Sequence, residues 1–265
     1  RPLSSKNILV LVGPGNNGVD GLVAARYLSD YHADVTIVLG APRKLPDKNL
    51  DLVQQKNIII IEAWKNFLEL EKALAASNIV IDSLFGTGKA GTLEGIYRQM
   101  LDKLRLQKSL SPSLQIVSLD LPSGLDADTG SAELSSCPAD LTITMAFPKK
   151  GFFALPGAEY LGKLITADIG IPDTLADDIR TELLSPEWAK ANLPVRPRGA
   201  HKGTFGKVMV IAGSSRYPGA PYLACTAAYR AGAGLVTLAS IGKVIELVGS
   251  KSVETTYLLL PESEE

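Results

Sequence analysis

Short runs of β-branched and apolar residues alternate with stretches whose apolar residues recur at helical spacing. The apolar runs predict strands at Asn7–Val12, Asp34–Leu39, Ile58–Ile61, Ile79–Asp82, Gln115–Leu119, Leu141–Met145 and Leu164–Ala167. The periodic stretches predict helices at Asp20–Asp30, Asn49–Gln55, Phe67–Ala76 and Leu93–Leu106. Buried strands separated by helices are typical of a mostly parallel sheet covered on both faces, so residues 1–172 are predicted to form one doubly wound α/β domain.

The pattern changes after this domain. Residues 173–203 contain several prolines and a short helical stretch around Trp188, which predicts a linker. Residues 204–265 then begin a second βα unit, with a strand, a helix and a strand predicted at Lys207–Ala212, Tyr222–Ala231 and Leu235–Ser240, and a last strand near Leu258. Because this unit is small for an independent core, we expect it to be the opening part of a larger α/β domain.

Charge and cysteine content narrow the class of protein. The formal net charge of −1 does not favour nucleic acid or an acidic membrane surface as a partner, and the apolar runs are too short to span a bilayer. Cys137 and Cys225 lie far apart, which argues against a disulfide scaffold or a zinc site and for a reducing, cytoplasmic location. The chain starts at Arg1 rather than Met, so we expect missing upstream sequence, and we expect a homo-oligomer.

The first predicted strand is followed by a glycine-rich segment in which Gly13, Gly15 and Gly18 match G-x-G-x-x-G. Glycines permit close approach of the backbone to a ligand, and a helix N-terminus attracts anions. The segment is therefore predicted to hold the phosphates of a nucleotide-like ligand. The alternative is that the glycines serve only the tight packing of this turn. A conventional NAD-dependent dehydrogenase is disfavoured because the second strand ends in Val38-Leu-Gly-Ala41, without the carboxylate that binds the ribose.

Two aspartates follow or end later strands. Asp82 precedes a glycine-rich turn at residues 84–92, and Asp120 precedes Leu-Pro-Ser123-Gly. A strand order of 3-2-1-4-5 would bring these strand ends to one crevice, although either aspartate could instead be a helix or turn cap. Hard oxygens from Asn17, Asp82 and Ser123 would suit an alkali or alkaline-earth cation, and the absence of His and Cys disfavours a transition metal.

Other chemistries lack their motifs. Gly88-Lys89 is followed by Ala90 rather than by the Ser or Thr of a P-loop. Leu121-Pro-Ser-Gly lacks the first glycine of a nucleophile elbow. The two histidines, His32 and His201, do not favour a Ser-His-Asp triad.

Between about residues 6 and 172, five ordered motifs resemble the epimerase domain (YjeF N-terminal type) of the bifunctional NAD(P)H-hydrate repair enzymes: G-P-G-N-N-G-V-D-G-L, V-I-D-S-L-F-G-T-G, S-L-D-L-P-S-G-L-D, F-P-K-K-G and G-K-L-I-T-A-D-I-G-I-P. The resemblance implies a Rossmann-like domain that epimerises the hydroxyl-bearing carbon of hydrated NADH or NADPH with a potassium ion in the site. It implies substrate contacts at Asn16, Asn17, Gly18, Val19, Asp20, Gly86, Thr87, Gly88, Lys89, Ala90, Gly91, Thr92 and Asp120. It implies potassium ligands at Asn17, Asp82 and Ser123.

Residues 198–240 resemble the start of the partner domain of those enzymes, an ADP-dependent hydrate dehydratase with a ribokinase-like fold. The later G-x-G-D motif of that domain does not occur in this sequence, since Gly232-Ala-Gly is followed by Leu235. We therefore expect no complete dehydratase site. The first domain departs from its family at Val19, where a second glycine is usual, and this puts close ligand approach at that position in doubt.

Epimerisation needs the hydroxyl to leave, or the ring to open, before return from the other face. A carboxylate beside the carbon can move the proton, and Asp120 is the catalytic candidate because it follows a strand end in the crevice, with Asp20 second. The alternative hypothesis is a non-enzymatic binding scaffold of the same fold.

Overall fold

The computed structural model describes residues 6–44, 46–88 and 93–262. The chain divides into two compact units, Arg1–Ile179 and Arg180–Glu265. This division lies inside the predicted linker, while the predicted domain limits at 172 and 204 stay predictions. Across the described ranges, no helix has both the length and the apolar character needed to cross a membrane.

The described part of the first unit contains a sheet of seven parallel strands in the order β3-β2-β1-β4-β5-β6-β7. The strands are β1 (Asn7–Val12), β2 (Asp34–Leu39), β3 (Ile59–Glu62), β4 (Ile79–Ser83), β5 (Gln115–Leu119), β6 (Leu141–Met145) and β7 (Lys163–Ala167). The predicted order 3-2-1-4-5 is confirmed, and β6 and β7 extend it at one edge.

Helices cover both faces of this sheet. They are α1 (Asn16–Asp30), α2 (Lys48–Gln54), α3 (Phe67–Ala76) and α4 (Gly95–Leu110). Because successive side chains of a strand point to opposite faces, Leu9 and Leu11 pack with residues of α3 and α4, whereas Val10 and Val12 pack with residues of α1 and α2. The predicted doubly wound α/β fold is confirmed.

This arrangement places a crevice between the carboxyl ends of β1 and β4. From β1 the chain continues through α1 and α2 to one side of the sheet, and after β3 it returns to build β4 and β5 on the other side. Ligands of open α/β sheets bind at such a reversal of strand order, because the connecting loops separate there.

The connections at the far edge of the sheet are built differently. Among the described residues, two single 3-10 turns, Lys150–Phe153 and Gly157–Tyr160, lie between β6 and β7. Phe152 is fully buried in a small core with Leu121 and Leu125, which lie in the segment after β5. The loops after β5 and after β6 therefore pack against each other.

The second unit contains α5 (Pro186–Asn192), β8 (Lys207–Ile211), α6 (Gly219–Ala231), β9 (Leu235–Ser240), α7 (Gly242–Gly249) and β10 (Thr256–Leu259). In its described part, three parallel strands pair in the order β10-β9-β8. A small core forms around Cys225, Val236 and Val244. The sequence predicts each of these elements except α7.

Candidate active site

The segment between β1 and α1 lies directly against the end of β4. The Gly13 N–H donates to the Ser83 carbonyl at 3.2 Å. A Cβ atom on Gly13 would lie 1.7 Å from the Leu84 carbonyl oxygen, so only glycine permits this approach. Arg43, after β2, donates from Nη1 to the Gly13 carbonyl at 2.6 Å and forms an ion pair with Asp47. These contacts fix the position at which α1 begins.

A cleft of about 540 Å³ opens at this end of the sheet. Its walls are the start of α1, the segment after β4 and the residue after β5, namely Pro14, Gly15, Asn16, Asn17, Asp20, Leu84, Phe85, Gly86, Thr87, Gly88 and Asp120. The first backbone N–H groups of a helix have no intrahelical acceptor, and the helix dipole is positive at that end. This wall of the cleft is therefore suited to an anionic group such as a phosphate.

Seven of the sequence-predicted substrate contacts line this cleft: Asn16, Asn17, Asp20, Gly86, Thr87, Gly88 and Asp120. Gly18 and Val19 lie in the first turns of α1 and are not among its lining residues, so their contact with substrate stays a prediction. The predicted contacts at Lys89, Ala90, Gly91 and Thr92 lie outside the described residues.

The three residues predicted to hold a cation are all buried. Ser123 donates from Oγ to Asp82 Oδ1 at 2.6 Å and from its backbone N–H to Oδ2 at 2.8 Å. Asn17 donates from Nδ2 to the Leu119 carbonyl at 3.1 Å. Among the described residues, nothing donates a hydrogen bond to the buried Asn17 Oδ1. A buried oxygen without a partner is costly, and a bound cation would satisfy it.

The buried carboxyl group of Asp82 is held by donors but by no cation of the described residues. Burial raises its pKa, and hydrogen bonds from Ser123 and from the Leu84 N–H oppose that increase only in part. Asn17, Asp82 and Ser123 thus offer oxygen atoms alone. This set suits a hard cation, and the described residues contain no cluster of three or more His, Cys, Asp or Glu residues that could hold a metal.

Asp120 follows β5 with φ of +66°, in the left-handed region that non-glycine residues rarely adopt. This backbone is held by the Asp120 N–H, which donates to the Ile143 carbonyl at 2.8 Å. Asp20 lies across the cleft, and although much of it is exposed, partial burial and the nearby charge of Asp120 raise the pKa of its carboxyl group. Two carboxyl groups in one cleft are the usual equipment for moving a proton.

Sequence reasoning missed two charged residues at this site. Lys149, after β6, forms an ion pair with Asp120, its Nζ 2.7 Å from Oδ1. Arg43 stands after β2, near where a dehydrogenase carries its ribose-binding carboxylate, and it contacts the glycine segment instead. Lys149 lies in F-P-K-K-G, four residues after the predicted strand Leu141–Met145, and Arg43 lies four residues after the predicted strand Asp34–Leu39. A basic residue at this distance from a strand end is the signal that could have found both.

Models of two known families match this chain, one in each unit. The model of the N-terminus of YjeF-related proteins matches residues 2–151, and the model of NAD(P)H-hydrate dehydratase matches residues 208–262. The crystal structure of the yeast protein YNL200c has a TM-score of 0.55 at 22% identity, covering 69% of this chain and 75% of the yeast chain. This likeness concerns the fold.

Two similar proteins are called bifunctional NAD(P)H-hydrate repair enzyme Nnr. The protein from Thermofilum pendens is 38% identical over 259 residues, which are 96% of this chain and 48% of the relative. The protein from Moorella thermoacetica is 35% identical over 269 residues, or 98% of this chain and 50% of the relative. The chain thus spans about half the length of the curated relatives that it matches. Since the model for the first unit covers more than half of the chain, the chain belongs to the family of YjeF-related protein N-termini.

Proposed function

We propose that the first unit interconverts the R and S forms of hydrated NADH or NADPH. Family membership and the name of the relatives support an enzyme of nicotinamide nucleotide repair. The observation that carries the proposal is the position of Asp120, whose carboxylate follows β5 in the same cleft as the N-terminus of α1. One cleft thus offers an anion site and a carboxyl group held on a rigid strand end.

Binding would align the substrate by its charged part. The pyrophosphate would lie against the first turn of α1, where the backbone N–H groups and the helix dipole attract it. The segment Gly86–Gly88 would cover the opposite side of the substrate. A Cβ atom at Gly86 would lie 3.1 Å from Asp120 Oδ2 and 3.4 Å from Asn17 Cβ, so a larger residue would narrow the space beside the reacting group. Such positioning supplies a large part of a rate enhancement.

The chemical step needs proton movement at the hydroxyl of the hydrated ring. When the carbon–oxygen bond breaks, the ring nitrogen supplies the electron pair and a proton joins the leaving hydroxyl to form water. Addition of water from the opposite face then releases a proton and gives the other epimer, so no net proton is consumed. Asp120 is the proposed carrier of this proton, and Asp20 is the second candidate.

Potassium is the proposed cofactor of this site. Asn17, Asp82 and Ser123 would hold the ion, because their buried oxygens include the unsatisfied Asn17 Oδ1 and an Asp82 carboxylate without a cationic partner among the described residues. When bound, the ion supplies a positive charge that offsets the buried carboxylate. Ser123 links the ion site to the wall of the cleft, since the Phe85 N–H donates to its Oγ at 3.0 Å.

The catalytic assignment is tested with Asp120→Asn, which keeps the shape of the side chain and tolerates a left-handed backbone. We expect the rate of R-to-S interconversion, followed by chromatography against an enzyme-free sample, to fall by about 100-fold or more. The exposed Asp128 offers a matched control, because Asp128→Asn makes the same chemical change outside the cleft. An Asp120→Asn enzyme as fast as the control would remove Asp120 from the mechanism.

A non-enzymatic scaffold would bind a nicotinamide nucleotide without turnover in the same assay. One of the sequence features that favour this alternative is Val19, but the Val19 side chain is not among the residues that line the cleft. The absence of dehydratase activity, homo-oligomer formation and the cytoplasmic location stay predictions. Dehydratase activity would be measured as ADP-dependent loss of the hydrate, and we expect no such loss.

A further inference from the structure

Lys149 is nearly buried beside the cleft without lining it. Its side chain is 16% exposed and that of Asp120 is 14% exposed, so water screens their ion pair only weakly. The ammonium group also donates to Thr144 Oγ1 at 2.8 Å, to the Met145 carbonyl at 2.9 Å and to the Phe147 carbonyl at 3.1 Å. These acceptors surround one point at the end of β6. The ammonium group is therefore fixed in place even without Asp120.

The backbone around Lys149 is equally constrained. The next residues form the 3-10 turn Lys150–Phe153, and Phe152 anchors this turn because its ring is fully buried. The Gly151 N–H donates to the Ala127 carbonyl at 2.7 Å. A Cβ atom on Gly151 would lie 2.5 Å from the Gly130 nitrogen, which shows how closely the loops after β5 and β6 pack. Lys149 thus starts from a rigid base.

The two oxygens of Asp120 have different surroundings. Oδ1 lies 2.7 Å from the Lys149 ammonium and 3.4 Å from both Thr144 Oγ1 and the Met145 nitrogen. Oδ2 points towards Gly86, a residue that lines the cleft. The ion pair therefore uses one oxygen and leaves the other on the side of the substrate.

We propose that Lys149 is a positioning residue, which holds Oδ1 of Asp120 so that Oδ2 alone faces the hydroxyl of the substrate. This inference rests on the proposed epimerase function. A rotation of the carboxyl group about its Cβ–Cγ bond would exchange the two oxygens or turn both away from the substrate, and the ammonium group prevents it. Lysine suits this role because its compact charge can contact several acceptors around one point.

The test compares Lys149→Met with Lys150→Met in the full chain. Methionine matches the length of lysine but carries no charge, and Lys150 is the exposed neighbour of Lys149. We expect Lys149→Met to lower kcat by about 30- to 100-fold and to change KM by less than about threefold, because a small displacement of a catalytic group costs rate rather than binding. Lys150→Met should retain the kcat and KM of the unmodified enzyme.

A double mutant tests whether Lys149 acts through Asp120. Asp120→Asn combined with Lys149→Met should be no slower than Asp120→Asn alone, within about threefold, whereas multiplied losses would show that Lys149 acts independently. If Lys149→Met shows no cooperative unfolding transition on heating, that variant is not folded, and the same kinetic test is made with Lys149→Arg. Its longer, planar group should displace the carboxylate and lower kcat by about tenfold or more at nearly constant KM.

Full kcat in the folded Lys149 variants, beside an active unmodified enzyme, would overturn the inference and leave the proposed function intact. An unmodified enzyme that does not interconvert the epimers would instead overturn the proposed function, and this inference with it.

Discussion

At the scale of single residues, Asn17 and Asp82 carry polar atoms whose burial the described residues do not fully compensate. Asn17 Oδ1 has no hydrogen-bond partner there, and burial raises the pKa of Asp82 despite three hydrogen bonds. A raised pKa means that the ionised carboxylate is less favourable in the folded protein than in the unfolded chain at neutral pH. A bound cation would relieve both deficits, and it should therefore stabilise the folded state.

We expect potassium chloride to raise the thermal unfolding midpoint by about 3 to 5 °C over choline chloride at equal ionic strength, once potassium exceeds its dissociation constant roughly tenfold. Asn17→Ala should abolish this increment, since it removes the unsatisfied oxygen. Asn16→Ala is the matched control, because Asn16 is the exposed neighbour in the same helical turn. Equal increments in both variants, or none in the unmodified protein, would contradict a potassium site.

The sequence could predict the residues that follow or end a strand, because their position depends on the topology alone. Asp120 and the start of α1 belong to this group and line one cleft. Lys149 could not be predicted in the same way. Its pairing with Asp120 depends on a left-handed residue after β5 and on the packing of two irregular loops. Neither feature leaves a periodic pattern in the sequence.

At the scale of elements, α1 begins at Asn16, four residues before its predicted start at Asp20. The sequence Asn-Asn-Gly-Val favours a loop by local propensity, but Asn17 donates from Nδ2 to the Leu119 carbonyl at 3.1 Å, and a Cβ atom on Gly21 would lie 2.0 Å from Ser83 Oγ, so the first turns of α1 pack tightly against β4 and β5. Tertiary contact thus overrides propensity. Conversely, the central strands β1, β2 and β4 are predicted closely because their apolar runs are buried on both faces of the sheet.

The helical position of Val19 gives a test of the departure from the family pattern. We expect Val19→Gly to lower the free energy of unfolding by about 1 kcal/mol, through lower helix propensity and lost apolar burial. The KM for the hydrate should change by less than about twofold, since Val19 does not line the cleft. Ala24→Gly, in the middle of α1, is the control for helix propensity alone. A markedly lower KM in Val19→Gly would show that the valine obstructs the substrate.

At the scale of the whole molecule, every described residue of the proposed site lies between Gly13 and Lys149, within the first unit. That unit has its own cores on both faces of the sheet and a further core around Phe152. The second unit has a separate core around Cys225 and Val236. Epimerisation should therefore depend on the first unit alone. The second unit, which matches the dehydratase model, should not be needed for it.

Limited trypsin digestion tests this independence. Residues 180–199 are almost entirely exposed, including α5, and trypsin can cut them after Arg180, Lys190 and Arg198, whereas Pro197 protects the bond after Arg196. Exposed segments with few contacts are cut first, so early cleavage should fall here and release a fragment with residues 1–180 or slightly more. We expect the digest to keep most of its epimerisation rate when intact chain has disappeared from mass spectra. Loss of activity in step with this cleavage would show that the first unit needs the second one for its site.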